Sequence, residues 1–174
     1  MTDNSANNQQ FTGLILLTGV DSPGIASSLF ECLAPFAVHI VDIEQVVINS
    51  RLILTVLMVA NPAHQDAIED DLAACAITLD VDIATLFSNS TPVPVPHGCT
   101  LVSVVSSKLH PREVVKITSA LSALGCNIER FVRVATEPVS IDMTVSSSST
   151  SEIKTALASI TFSDSTTISI SGVD

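Results

Sequence analysis

Residues 18–33 read TGVDSPGIASSLFECL: an apolar run ends, a polar turn carries Asp21, Ser22, Pro23 and Gly24, and an apolar-periodic segment follows. Ile25, Leu29 and Leu33, with Phe36 beyond them, recur at the three-to-four residue spacing of one helix face. A strand that enters a helix through Asp-Ser-Pro-Gly has three uses: a phosphate loop, a nucleophilic serine, or a helix N-terminus that receives a small anion.

The first two uses fail on chemistry. Gly19 and Gly24 have the spacing of a phosphate-binding loop, but Ile25 and Ala26 stand where a lysine and a magnesium-binding hydroxyl are required. Ser22 lacks the flanking glycines of a nucleophile elbow, and His39, His64, His97 and His110 show no spacing that marks one as its base. A third candidate, LDVDIATL at residues 79–86, sets Asp80 and Asp82 in the pattern of a haloacid-dehalogenase nucleophile motif. Ala84 replaces its Thr or Val, and no later lysine and acidic loop completes it, so both carboxylates are expected on the solvent side of a final strand. The chain is therefore expected to have no catalytic site, metal site or cofactor of its own.

Composition narrows the partners. The 174 residues are 47% hydrophobic and carry a formal charge of -11 with only seven Lys and Arg, too few to neutralise a phosphate backbone. The apolar runs 13–17 and 52–60 fall short of the roughly 20 residues that span a bilayer. Residues 1–11 lack a basic and an apolar signal region and read as a disordered lead-in to a cytoplasmic protein. Cys32, Cys75, Cys99 and Cys126 are widely spaced, which supports neither a zinc site nor a redox motif and is expected of buried free thiols.

Sliding the chain by 88 positions aligns Pro23 with Pro111, Leu29 with Ile117, Leu33 with Leu121, Phe36 with Leu124 and Ile40 with Ile128. Two similar units follow, at 12–87 and 99–174, joined by the Pro-rich segment 88–98, whose alternating prolines favour an extended connection. Strands are expected at 13–18, 38–48, 52–60 and 78–87, with Asn49-Ser50 as the first hairpin turn, and at 100–106, 127–135, 139–146 and 166–171, with Glu137-Pro138 as the second. The helices present Ile25, Leu29 and Leu33, then Ala67, Ile68, Leu72 and Ala76, then Val114, Ile117, Leu121 and Leu124. Ser149, three residues before Glu152, offers a capping box for the last helix. Each unit thus follows the order β-α-β-β-α-β, an α+β ferredoxin-like pattern with antiparallel sheets and helices on one face.

Within that pattern, LLTGVDSPGIASSLFECLAPFAVHIVDIEQVVI resembles the ACT family of small-molecule-sensing domains. The tandem arrangement and VDIEQVVINSRLILTVLM look more specifically like the N-terminal regulatory half of actinobacterial phosphoserine phosphatases, whose catalytic domain and its magnesium would follow residue 174. The chain is then expected to be a fragment, a regulatory segment or a free-standing paralogue. The resemblance implies a small amino acid as ligand, with L-serine favoured, and control of serine biosynthesis. Asp21, Ser22, Pro23, Gly24 and Ile25 would hold it against His39 or Asn127 from the second strand of a neighbouring unit. Asp21 has a second reading as a simple helix cap, with Pro23 and Gly24 easing the turn.

SSKLHPRE replaces the Asp-x-Pro-Gly turn in the second unit, putting Arg112 where Gly24 stands, while LGCNIERF keeps Asn127. A homo-oligomer, at least a dimer, is expected because LILTVLMV at 52–59 is apolar at nearly every position and helices of this fold cover one sheet face. The alternatives are a purely structural dimerisation module and a regulator of another amino-acid pathway.

Overall fold

The computed structural model describes residues 9–90, 98–163 and 165–173, and most of the expected lead-in and of the Pro-rich connection lies outside them. The chain divides into two compact units on either side of residues 93 and 94. The first contains β1 (Gln10–Val20), α1 (Ile25–Leu33), β2 (His39–Ile48), β3 (Arg51–Val59), α2 (Gln65–Leu79) and β4 (Asp82–Ser90), with a 3-10 turn at Pro62–His64 before α2. The second contains β5 (Cys99–Ser106), α3 (Pro111–Ala123), β6 (Asn127–Thr136), β7 (Val139–Ser146), α4 (Thr150–Ala158) and β8 (Thr166–Val173). The antiparallel sheets have the orders β2-β3-β1-β4 and β6-β7-β5-β8, so the same β-α-β-β-α-β wiring occurs twice.

Side-chain alternation explains where each core forms. On β1, Ile15 and Leu17 point to one face and pair across to Val56 and Leu54 of β3. Ile25, Leu29 and Leu33 of α1 and Ile68 and Leu72 of α2 close over them, so both helices lie on that face. Gly13 belongs to this face too, and a Cβ there would lie 2.6 Å from the Phe87 ring, which stacks on Phe11. The second core repeats the arrangement with Val102, Val104, Ile141, Met143, Ile117, Leu121, Ile153 and Leu157. Asn49 and Ser50 both take positive φ, 48° and 60°, the left-handed pair that a two-residue hairpin requires.

Several expectations need correction. β1 extends beyond 13–18 at both ends, and Thr78 and Leu79 finish α2 rather than begin β4. The helix stops because Asp80 turns left-handed at φ 54°, its N–H donating to the Ile77 carbonyl and that of Val81 to the Ala76 carbonyl, a Schellman closure. Asp80 therefore closes a helix, and only Asp82 sits on the exposed side of a strand. Ala67 is exposed, because α2 turns Ile68, Leu72 and Cys75 inward at intervals of four and three residues. Val114 and Leu124 are half-buried, leaving Ile117 and Leu121 as the buried positions of α3. Of the four cysteines only Cys75 is buried.

α4 starts with the expected capping box: the Ser149 hydroxyl accepts from the Glu152 N–H, while the Glu152 carboxylate accepts from the Ser149 N–H and hydroxyl. The Ser149 side chain and then its backbone hold the Glu152 carboxyl below its usual 4.5. A depressed carboxyl pKa stabilises the fold fully above the unfolded value and loses that contribution as pH falls through the folded value. Replacing Glu152 with Gln should therefore reduce the loss of stability below about pH 4.5, as followed by thermal unfolding at a series of acid pH values. Leu54→Ala, at a fully enclosed position of β3, should lower unfolding free energy by about 3 kcal/mol in urea titrations.

Candidate functional site

The turn between β1 and α1 differs in kind from the other helix starts. Gly24 precedes α1 with φ 94°, a left-handed conformation that disfavours any side chain, and no side chain caps the helix. No acidic residue lies in the first turn of α1. The first N–H groups of a helix have no partner within it and sit at the positive end of its dipole, so this end suits an anion. A Cβ built on Gly24 would meet nothing within 4 Å, so the space beside the turn at Gly24 is open.

Asp21 does not cap α1; its backbone N–H donates instead to the Ser50 carbonyl at 2.9 Å, tying the turn to the β2–β3 hairpin. Its carboxylate, together with Ser22, Pro23 and Gly24, is exposed, while Ile25 is buried and anchors the helix start. Arg51, next to Ser50, pairs with Val20 at the last position of β1. It is the only Lys or Arg before residue 108, whereas residues 1–93 hold eleven of the 18 acidic side chains. Arg51 carries no motif, and only its isolation among acidic residues marks it in the sequence. With Asp80, Asp82, Gly19 and Ile77 it lines a cleft of about 550 Å³ at this end of the sheet.

The second unit closes the equivalent place with its own side chains. The Arg112 N–H donates to His110 Nδ1 at 3.3 Å, Pro111 fills the first helical turn, and Glu113 puts a carboxylate there. Lys116 Nζ lies 3.3 Å from Glu113 Oε1, donates to the Thr161 carbonyl at 2.8 Å and sits 5.7 Å from the Phe162 ring centroid. A helix start that carries its own acceptor and its own anion is a poor receptor for a second anion.

His39 and the turn do not meet within one unit. His39 opens β2 opposite Val59, whose other neighbour is Thr12 near the start of β1, whereas the turn follows the far end of β1. Eight residues of strand separate the two ends, roughly 25 Å at 3.3 Å per residue. Asn127 likewise opens β6, and its side-chain N–H donates to Glu129 Oε1 at 2.8 Å. The same oxygen accepts a short hydrogen bond from the Ser146 hydroxyl, and Ser146 first, then Asn127, hold the Glu129 carboxyl below its usual range. The structure thus brings Asp21 through Ile25 together and sets His39 at the other end of the same sheet, while Asn127 belongs to the second unit.

Among the described residues no group of three or more His, Cys, Asp or Glu is placed to hold a metal ion, and no helix is long and apolar enough to cross a membrane.

Residues 12–85 and 99–171 each match an ACT domain model. A phosphoserine phosphatase of Streptomyces coelicolor is 33% identical over 154 residues, which are 84% of this chain and 36% of that protein. A phosphoserine phosphatase of Mycobacterium tuberculosis is 34% identical over 122 residues, 69% of this chain and 30% of the relative. The chain spans about a third of the length of these curated relatives. A crystal structure of an unknown protein from Galdieria sulphuraria has the same fold, with a TM-score of 0.71 at 17% identity, covering 95% of this chain and 99% of that one.

The two helix starts make opposite demands on their side chains. His110→Ala should cost about 1 kcal/mol through the lost cap, whereas Asp21→Ala should leave stability within about 0.5 kcal/mol, both read from urea midpoints.

Proposed function

Since this chain belongs to the ACT domain family, whose members are amino-acid-binding regulatory modules, we propose that it senses L-serine and thereby controls a phosphoserine phosphatase of serine biosynthesis in the cytoplasm. The observation that carries this reading is the uncapped, sterically open start of α1 at Gly24. A ligand carboxylate takes the N–H groups after Gly24, and the Asp21 carboxylate takes the ammonium group, so the turn selects zwitterions. The turn supplies only one wall. His39 or Asn127 of a second copy supplies the other, because β2 and β6 present these residues on uncovered strands.

Association of copies follows from the surface. All ten residues of β2 are exposed, including Ile43, Val46, Val47 and Ile48, and Leu14, Leu16 and Leu86 are uncovered on the face away from the helices. An edge strand with unpaired backbone groups and apolar side chains invites a second copy. Light scattering at micromolar concentration should therefore give at least a dimer. A monomer removes both the edge pairing and the second wall.

Serine has about seven heavy atoms, and a ceiling of about 1.5 kcal/mol for each caps its binding at roughly 10 kcal/mol; desolvation should leave a Kd of about 10 µM to 1 mM. Calorimetry against the twenty amino acids should single out serine or another small amino acid. Gly24→Val should abolish that heat; because φ 94° strains any side chain, the variant should also lose about 1–2 kcal/mol of stability. Asp21→Asn provides the unstrained control and should weaken binding at least tenfold. No heat from any amino acid would leave the structural dimerisation module, and unchanged affinity in Gly24→Val would move the site away from the turn.

A further inference from the structure

α1 and α2 lie together over the first sheet, and the seam between them holds two thiols that the sequence separates by 43 residues. Cys32 Sγ of α1 donates to the Asp71 carbonyl of α2 at 3.9 Å, and Cys75 Sγ of α2 donates to the Ser28 carbonyl of α1 at 3.9 Å. Asp71 is one helical turn before Cys75, and Ser28 is one turn before Cys32. Helical side chains lean back over the preceding turn. Each sulfur therefore reaches to the very turn that the other cysteine's side chain covers, and the two share one span of the seam.

The Cys75 thiol is enclosed, and burial, together with its hydrogen bond and charge interaction with Cys32, pushes its pKa up to about 11. Cys32 is half-buried, and both line a groove of about 480 Å³ with Ser28, Glu31, Asp71 and Ala74. One thiol is thus accessible from solvent while its neighbour waits beneath it.

We propose that Cys32 and Cys75 form a modification site, closing to a reversible disulfide when a hydroperoxide enters the groove between α1 and α2. With hydrogen peroxide, Cys32 attacks as thiolate: an S–O bond forms, the O–O bond breaks, and a sulfenic acid and one water result. Cys75 then gives up its proton and attacks the sulfenic sulfur; the S–S bond forms, the S–O bond breaks, and a second water leaves. Two thiols lose two electrons in all, and one peroxide becomes two waters. Cys32 is the peroxide-reactive thiol and Cys75 resolves it. The raised Cys75 pKa slows the second step, because only its thiolate attacks. The product clamps α1, which begins at the Gly24 turn, onto α2, and its formation is independent of any ligand at that turn.

The test uses the full reduced chain treated with hydrogen peroxide, unfolded and alkylated with iodoacetamide, then mapped by peptide mass spectrometry. Two of the four thiols should escape alkylation, a linked peptide pair containing Cys32 and Cys75 should be two mass units light, and dithiothreitol should restore all four. The Tm should rise by roughly 10 °C on oxidation, since the link closes a long loop. Cys32→Ser should abolish the link and leave Cys75 fully alkylated; Cys75→Ala should let Cys32 proceed to sulfinic acid. If the native chain keeps four alkylatable thiols, carries Cys32 to sulfinic acid without a link, or joins chains through Cys99 or Cys126, the assignment fails.

Discussion

Two helices of nine and fifteen residues cannot cover both faces of a four-stranded sheet, and the first unit is organised around that limit. They close over the face that carries Ile15, Leu17, Leu54 and Val56, burying these completely, and leave Leu14, Leu16 and Leu86 on the other. They also fail to reach β2, which stays exposed along its whole length although six of its ten residues are Ile or Val. Apolar area buried on one face drives folding. The area left over is what makes association with another surface favourable.

The same limit acts on the second unit, yet the two copies have diverged where their first helices begin. In the first, a left-handed glycine begins the helix and no side chain caps it. In the second, His110 Nδ1 accepts from the Arg112 N–H, and the Glu113 carboxylate, paired with Lys116, answers the helix dipole. A few differences between Lys108 and Glu113 thus separate an uncapped helix start from a self-satisfied one while the sheet behind keeps its order. Charge follows the same division, since ten of the eleven net negative charges belong to residues 1–93, with Arg51 as their single basic side chain.

Much of this fold is local in origin and was readable along the chain. Asn49-Ser50 specifies a two-residue hairpin because both residues adopt positive φ, and the two capping partners of α4 stand three residues apart. The period of Ile25, Leu29 and Leu33 and the alternation of β3 fix helix, strand and buried face together. The end of α2 is not legible in the sequence, because Thr78 and Leu79 suit a strand as well as a helix. Asp80 decides the matter by turning left-handed, a choice that composition does not reveal.

The sequence by itself determined the elements of each β-α-β-β-α-β unit, the amphipathic faces and the unusual Asp-Ser-Pro-Gly turn, because each depends on residues within about four positions of one another, and it showed the duplication as a match at a shift of 88 positions. Tertiary structure alone decided which of those features become neighbours. Antiparallel pairing sends His39 to the opposite end of the sheet from the turn, although the chain between them is short. Helix packing brings Cys32 beside Cys75 across 43 residues, and the hairpin places Arg51 at the end of β1. These placements depend on strand register and on the rotation of one helix against another. No pattern of spacing along a single element encodes them, because they are settled when the whole core packs.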